Sequence, residues 1–248
     1  MKRLLEVKDL CKSFGTFKAL DHVSFRLIKG ELLAMIGPNG AGKSTCFNLI
    51  NGQLKPDKGK IYILGSDTTG KSPREIWKMG VGRTFQIASP FYSMSVLENV
   101  QMVLISHGGR IRSIHRHFKG QFYNEAMELL RAVGLEDKFH KRCGILTYGD
   151  LKRVEFAMAL ASNPRLLLMD EPTAGMEMDE KMKLMELIER TVKDRSIGLL
   201  FTEHDMDVVF SHADRVIMLN NGRVISEGDP QEVKRDEEVK RIYLGSYN

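Results

Sequence analysis

The sequence predicts an α/β fold: a mostly parallel sheet covered on both faces, an N-terminal antiparallel β subdomain and a helical subdomain. Three observations carry this. The apolar run Leu32-Leu33-Ala34-Met35-Ile36 leads straight into a glycine-rich loop and a helix start at Lys43. A second apolar run, Leu166-Leu167-Leu168-Met169, ends in two carboxylates, Asp170 and Glu171. Around these runs, strand patterns alternate with helical periodicity, the order that builds parallel strands joined by crossovers.

In chain order, residues 4–10 and 23–27 read as strands joined by a turn at Phe14-Gly15. Residues 52–58 form a turn before a strand at 60–64, and residues 81–85 are strand-like. Residues 96–133 lack strand alternation and read as helix, with a polar interruption at 106–120 and a stop at Gly134. A helix over 150–162 is stopped by Asn163-Pro164. An amphipathic helix over 181–195, a strand over 196–201 and a short helix over 206–211 follow. Residues 216–219 and 223–227 pair across Asn220-Asn221-Gly222, because Asn-Gly favours a tight hairpin turn. Residues 236–245 form a surface helix with an apolar stripe.

The 248 residues suffice for one domain with a full core. About 1–88 and 163–248 are assigned to the core with its antiparallel β subdomain, and about 89–162 to the helical subdomain. Three widely separated cysteines, Cys11, Cys46 and Cys143, suggest neither a disulfide framework nor a zinc site, which fits a reducing compartment. Cys46 reads as a buried small apolar residue. A net charge of +5 is too small to argue for nucleic acid. No signal segment is expected before the first strand, and no apolar run approaches the ~20 residues that span a bilayer. Membrane association is therefore expected through a partner.

The loop Gly37-Pro38-Asn39-Gly40-Ala41-Gly42-Lys43-Ser44-Thr45 carries the chemistry. Its glycines let successive N–H groups face an anion, and the following helix start adds a favourable field. Lys43 reaches the outer phosphates and Ser44 holds magnesium. Asp170 is assigned to magnesium, and Glu171 to polarising the attacking water. Gln86, after the strand-like segment, offers an amide to both metal and water. His204 follows an apolar strand and is placed to bond the terminal phosphate and to hold Glu171. Leu146-Thr147-Tyr148-Gly149-Asp150 precedes a helix and forms a second anion-binding surface. If it faces away from its own phosphate loop, it completes the site of another subunit. His107, His115 and His117 lie among Arg110, Arg112, Arg116 and Lys119 and read as a solvated basic face.

Taken in order, these residues resemble the nucleotide-binding subunits of ABC transporters over nearly the whole chain. Residues 37–45 resemble the Walker A loop, Gln86 the Q-loop, 146–150 the signature, 166–171 Walker B, and His204 the switch histidine. The resemblance implies a P-loop NTPase core of RecA-like type and an ATPase using ATP and Mg2+. Glu171, His204 and Gln86 take the catalytic roles, and Ser44, Gln86 and Asp170 the metal. It places Phe14 on the adenine, with Phe17 as the nearby second choice. It further implies a homodimer or heterodimer, each nucleotide held between one phosphate loop and the partner subunit's Thr147, Tyr148 and Gly149. Transmembrane permease subunits would dock a coupling helix in the groove near Gln86 and residues 89–100, with a solute-binding protein involved indirectly. That puts the chain at the cytoplasmic face of the inner or plasma membrane.

Three features depart from the family pattern. Asp150 replaces the usual glutamine, Tyr148 replaces the first glycine of the signature, and Ala174-Gly175-Met176-Glu177 replaces Ser-Ala-Leu-Asp. Asp150 is expected to point away from the nucleotide. Within the family, Gly82-Arg83-Thr84-Phe85-Gln86, the Tyr-Gly signature, Ala174-Gly175-Met176 and Tyr243-Leu244-Gly245 are similar to ATPases of branched-chain amino acid importers. Import of such amino acids or a related small solute is the expected function. Lipid or glycan export, with a similar Tyr-Leu-Gly ending, is the alternative. Repair and translation ATPases differ in carrying long coiled coils or tandem cassettes, and an inactive scaffold is disfavoured by intact Lys43, Asp170, Glu171 and His204.

Overall fold

The computed structural model describes residues 2–84, 90–107 and 122–244. Strands β1 (Arg3–Phe14) and β2 (Phe17–Ile28) form a long antiparallel hairpin that closes with Phe14 opposite Phe17. With β4 (Lys58–Ile63) and β5 (Ser66–Asp67) they make a four-stranded sheet in the order β2-β1-β4-β5. Both β1 and β2 extend beyond the apolar runs that announce them. On β2, Val23, Phe25 and Leu27 are buried while His22, Ser24 and Arg26 are exposed, the alternation of a strand with one wet face.

The central sheet has the order β10-β9-β3-β8-β7-β6. Strands β3 (Leu32–Ile36), β6 (Val81–Thr84), β7 (Leu166–Asp170), β8 (Gly198–Thr202) and β9 (Arg215–Asn220) run parallel. Strand β10 (Arg223–Gly228) pairs antiparallel with β9, as the Asn-Gly turn predicts. Side chains on β3 alternate between two cores. Leu32, Ala34 and Ile36 join a cluster with α3 (Val96–His107), α4 (Tyr123–Ala132), α5 (Tyr148–Ala161), α6 (Met178–Asp194) and α7 (Met206–His212). Leu33 and Met35 join the opposite cluster, built from α1 (Lys43–Ile50) and the antiparallel sheet. The central sheet is thus buried on both faces, which explains why its strands read as uninterrupted apolar runs.

Several boundaries differ from the sequence reading. Helix α6 begins at Met178 rather than 181, because Asp179 and Glu180 favour a helix start although they break the apolar stripe. Strand β8 begins at Gly198 rather than 196, after Ser196 adopts a left-handed φ of 54°. Two short helices, α2 (Pro73–Lys78) and α8 (Pro230–Arg235), were not anticipated from periodicity. Both have a capping residue followed by proline at the first helical position, a signal that survives in helices too short to show an apolar stripe. The terminal helix is α9 (Glu237–Leu244). The polar interruption expected between α3 and α4 lies largely outside the described residues, as do Gln86 and the basic stretch from Arg110 to Lys119. Among the described residues no helix is long and apolar enough to cross a membrane.

Helix α2 depends on its cap. Ser72 accepts from the Glu75 N–H at 3.4 Å, and the Glu75 carboxylate accepts from the Ser72 N–H at 2.9 Å. Ser72→Ala is expected to lower unfolding stability by about 1 kcal/mol, read as a reduced urea midpoint at unchanged m-value.

Candidate functional site

The functional side chains gather at one edge because parallel strands deliver their carboxyl ends to the same side of the sheet. The loop after β3 meets residues from the ends of β7 and β8 there. Strand β8 lies between β3 and β7, so the acids are not on the strand adjoining the phosphate loop. A cleft of about 190 Å³ is lined by Asn39, Gly40, Ala41, Gly42, Lys43, Ser44 and Thr45 together with Glu171, His204 and Phe17.

The loop is clamped by backbone on both sides. A Cβ on Gly42 would lie 2.5 Å from the Ala19 carbonyl oxygen, and one on Gly37 would lie 2.2 Å from that of Leu219. Gly42 also sits at φ 106°, so neither space nor backbone conformation admits a larger residue. Lys43 is only 8% exposed. Its Nζ donates to the carbonyl oxygens of Gly37 at 2.5 Å and Pro38 at 3.2 Å. Gly37 and Pro38 are not among the residues lining the cleft, and their carbonyls hold the lysine that is. Burial lowers the Lys43 pKa, and the charges of Glu171 and Asp170 oppose that shift. Gly42 at the helix N-cap offers no side-chain cap, so the first N–H groups of α1 stay available to an anion.

Thr202, at the end of β8, organises both acids. Its hydroxyl donates to Asp170 Oδ1 at 2.6 Å and accepts from the Glu171 N–H at 3.1 Å. Glu171 leaves the strand with a left-handed φ of 48°, a conformation that costs energy in a non-glycine residue. The Glu171 N–H also donates to the Thr202 carbonyl at 3.1 Å, which holds that bend. His204 Nε2 donates to Glu171 Oε1 at 2.8 Å, the only polarity open to an ionised carboxylate. The donor set of Ser44 hydroxyl and Asp170 carboxylate is all oxygen, which suits Mg2+.

Two functional neighbours were missed from the sequence. Thr202 is the polar end of an apolar strand, and Glu203 follows it. Glu203, 4% exposed, accepts at one oxygen from the Thr173 N–H (2.8 Å) and the Thr173 hydroxyl (2.7 Å). It ties the turn after Glu171 to the segment bearing His204. The signal was the run Phe201-Thr202-Glu203-His204, of which only the histidine was singled out.

Thr147 caps α5, its hydroxyl accepting from the Asp150 N–H at 3.3 Å. Thr147, Tyr148 and Gly149 are not among the residues lining the phosphate cleft of their own chain. Asp150 is buried and its carboxylate meets Lys138 Nζ at 2.7 Å, so its charge is neutralised within the chain. Glu177 takes the N-cap of α6 without a side-chain hydrogen bond. Phe14 is exposed and has Lys12 Nζ 5.6 Å from its ring centre, whereas Phe17 lines the cleft. The sequence favoured Phe14 over Phe17; the hairpin pairs them, so the two rings belong to one exposed aromatic end. Cys46 is buried and its thiol is pushed up to about 12, in keeping with a packing role.

The family model described as "ABC transporter" matches residues 20–174, and one described as "Branched-chain amino acid ATP-binding cassette transporter" matches residues 223–247. A probable branched-chain amino acid transport ATP-binding protein LivG of Methanocaldococcus jannaschii is 35% identical, covering 98% of this chain and 97% of that protein. The high-affinity branched-chain amino acid transport ATP-binding protein LivG of Escherichia coli K12 is 33% identical, covering 98% of each. Among solved structures, the ADP conformation of an ATP-binding cassette of an ABC transporter superposes with a TM-score of 0.88 at 33% identity, covering 99% of this chain and 100% of that one. A dimeric post-hydrolysis cassette bound to ADP and Pi gives 0.75 at 28% identity, covering 92% and 99%.

Sheet order, phosphate loop and these matches together make the chain a member of the ABC transporter ATP-binding family, an ATP-hydrolysing transporter subunit with a P-loop NTPase fold. Within that family it is similar to the ATP-binding proteins of branched-chain amino acid transporters, as the motifs implied.

Burial raises the Glu203 pKa above the ordinary 4.5, against the opposing bonds from Thr173. The folded chain then holds this proton more tightly than the unfolded chain, so the group's contribution favours folding at low pH. That contribution is lost as pH rises from 4.5 through the elevated folded value. Glu203→Gln keeps an acceptor for Thr173 and is expected to flatten this decline, measured as urea midpoints across the window.

Proposed function

We propose that this chain hydrolyses ATP in a dimer with a second ATPase subunit, identical or similar, and so powers import of branched-chain amino acids or a related small solute. The observation that supports this reading best is the division of the machinery. Phosphate loop, Glu171 and His204 share one cleft, while Thr147, Tyr148 and Gly149 stand apart from it. A second copy is the natural source of that missing wall, and a dimeric cassette bound to ADP and Pi is among the similar structures. The substrate class rests on the full-length relatives named for branched-chain amino acid transport and on the matching C-terminal segment.

In this reading residues 37–45 hold the phosphates, with Lys43 on the outer ones. The aromatic end of the hairpin, Phe14 with the cleft-lining Phe17, stacks on the adenine. Glu171 polarises the attacking water, and His204 orients Glu171 and donates to the terminal phosphate. Ser44, Asp170 and Gln86 hold Mg2+. Bound there, the ion neutralises phosphate charge. Positioning and charge stabilisation then supply most of the catalysis, as phosphoryl transfer requires little covalent help.

The coupling helix is assigned to the groove near Gln86 and residues 89–100; on the same side, a groove of about 250 Å³ is lined by Ile76, Trp77, Val81, Arg83, Val103 and Met158 among others. That groove lies between α2, β6, α3 and α5. In this reading that is also the boundary between the core (about 1–88 and 163–248) and the helical subdomain (about 89–162). An apolar lining with polar members suits a short amphipathic helix of a permease subunit, which would hold the chain at the cytoplasmic face of the membrane. A solute-binding protein would act through that permease.

Glu171→Gln is expected to slow hydrolysis at least about 100-fold while retaining ATP, so that an ATP-dependent dimer accumulates in size-exclusion chromatography. Unchanged turnover would remove Glu171 from its role. Reconstitution with its permease partner in proteoliposomes holding ATP inside, offered leucine outside or carrying a glycan-lipid, tests the transport direction and class. Uptake of leucine supports import, and extrusion of the lipid overturns it.

A further inference from the structure

Two of the departures from the family pattern touch each other. The Tyr148 hydroxyl, at the first turn of α5, donates to the Ala174 carbonyl oxygen at 3.0 Å. Its ring lies along the next peptide: a Cβ placed on Gly175 would sit 3.5 Å from Tyr148 Cε1 and 3.6 Å from its hydroxyl oxygen. Gly175 has φ 78°, which brings its backbone under the ring at no side-chain cost. Gly149 faces the same loop, since a Cβ there would come 3.6 Å from Met176 Cε. Lys152 Nζ stands 5.4 Å from the centre of the Tyr148 ring, adding a cation–π contact. A glycine at 148 would remove both the donor to the Ala174 carbonyl and the ring beside Gly175.

The loop so gripped is the one that leaves Glu171. The Ala174 N–H donates to the Glu171 carbonyl at 3.2 Å, and Thr173 donates twice to buried Glu203, the neighbour of His204. A continuous run of direct bonds therefore links the His204–Glu171 pair, through Glu203, Thr173 and Ala174, to the N-terminus of α5. Each joint is a hydrogen bond or a peptide bond between neighbouring residues.

We infer that Tyr148 is a positioning residue that locks the signature surface, Thr147 to Gly149, to the same chain's hydrolytic centre. This rests on the two-subunit reading above. The surface a chain offers its partner's nucleotide is then set by the state of Glu171 and His204 in its own site. Hydrolysis at one site shifts the wall of the other, and the two sites of a dimer are coupled through this latch. Such coupling is a free-energy difference carried by a chain of bonds, and losing one bond should weaken it without abolishing either site.

The test compares the wild-type chain with Tyr148→Phe, which keeps the ring and removes only the donor, and with Gly175→Ala, which strains the loop from the other side. ATPase rate is followed against ATP concentration at fixed chain concentration, with ADP affinity of the dilute chain and thermal unfolding as controls. Wild type is expected to give a Hill coefficient above 1. In both variants it should fall towards 1, with kcat reduced about fivefold, the size of one hydrogen bond, and with ADP affinity retained. A structural role alone would lower the unfolding temperature and leave the Hill coefficient where it was. Tyr148→Phe with wild-type cooperativity and kcat would overturn the latch. Wild-type chains with a rate strictly proportional to chain concentration, and no dimer in the Glu171→Gln background with ATP, would instead overturn the two-subunit reading.

Discussion

The site depends on keeping a lysine ammonium charged in a nearly dry loop. Burying that cation is costly, and the chain meets the cost with backbone rather than with a dedicated counter-ion. The carbonyls of Gly37 and Pro38 accept from Lys43, and Asp170 and Glu171 favour its charge through space. That solution dictates the surroundings. Carbonyls can converge on the ammonium only if the loop winds tightly, and β2 and β9 press against it at Gly42 and Gly37, where side chains are missing. The two acids must end their strand at the same edge, which the parallel order β3-β8-β7 provides. Fold and site are thus one requirement expressed at two scales.

Thr202 shows how such a site is set by a residue with no chemistry of its own. Strand β8 separates the phosphate-loop strand from the strand of the acids, and its terminal hydroxyl touches both acids at once. The left-handed bend at Glu171 turns one acid towards the phosphate cleft while the other stays with the strand. Adjacent residues in sequence thereby acquire different surroundings, which lets them serve different tasks.

Much of this was legible in the sequence, for reasons that differ by element. The central strands were plain because both faces are buried, and so were the phosphate loop and the Asn-Gly hairpin, whose residue types are forced by backbone geometry. The antiparallel strands were underestimated because the apolar pattern breaks down over residues 11–14 and 17–22, where register shifts interrupt the pairing. Helices α2 and α8 were overlooked because six residues cannot display a stripe; their caps were the readable part. The acids and His204 could be named from their positions at strand ends. Thr202 and Glu203 could not, since their importance lies in which strand is their neighbour, and sheet order is not written in any single segment. Asp150 was expected to turn from the nucleotide, and its pairing with Lys138 supplies a reason that lies twelve residues upstream.

Cys46 sits in α1 directly behind Ser44 and Thr45, sealed from solvent and with its thiol pushed up to about 12. Cys143 is sealed as well, at about 11, which leaves Cys11 as the accessible sulfur. The chain therefore carries a built-in chemical reporter. With Cys11 replaced by serine, any alkylation by a maleimide must await a breathing motion of the interior, and the rate at Cys46 becomes a clock for how often the first helix lifts from its bed.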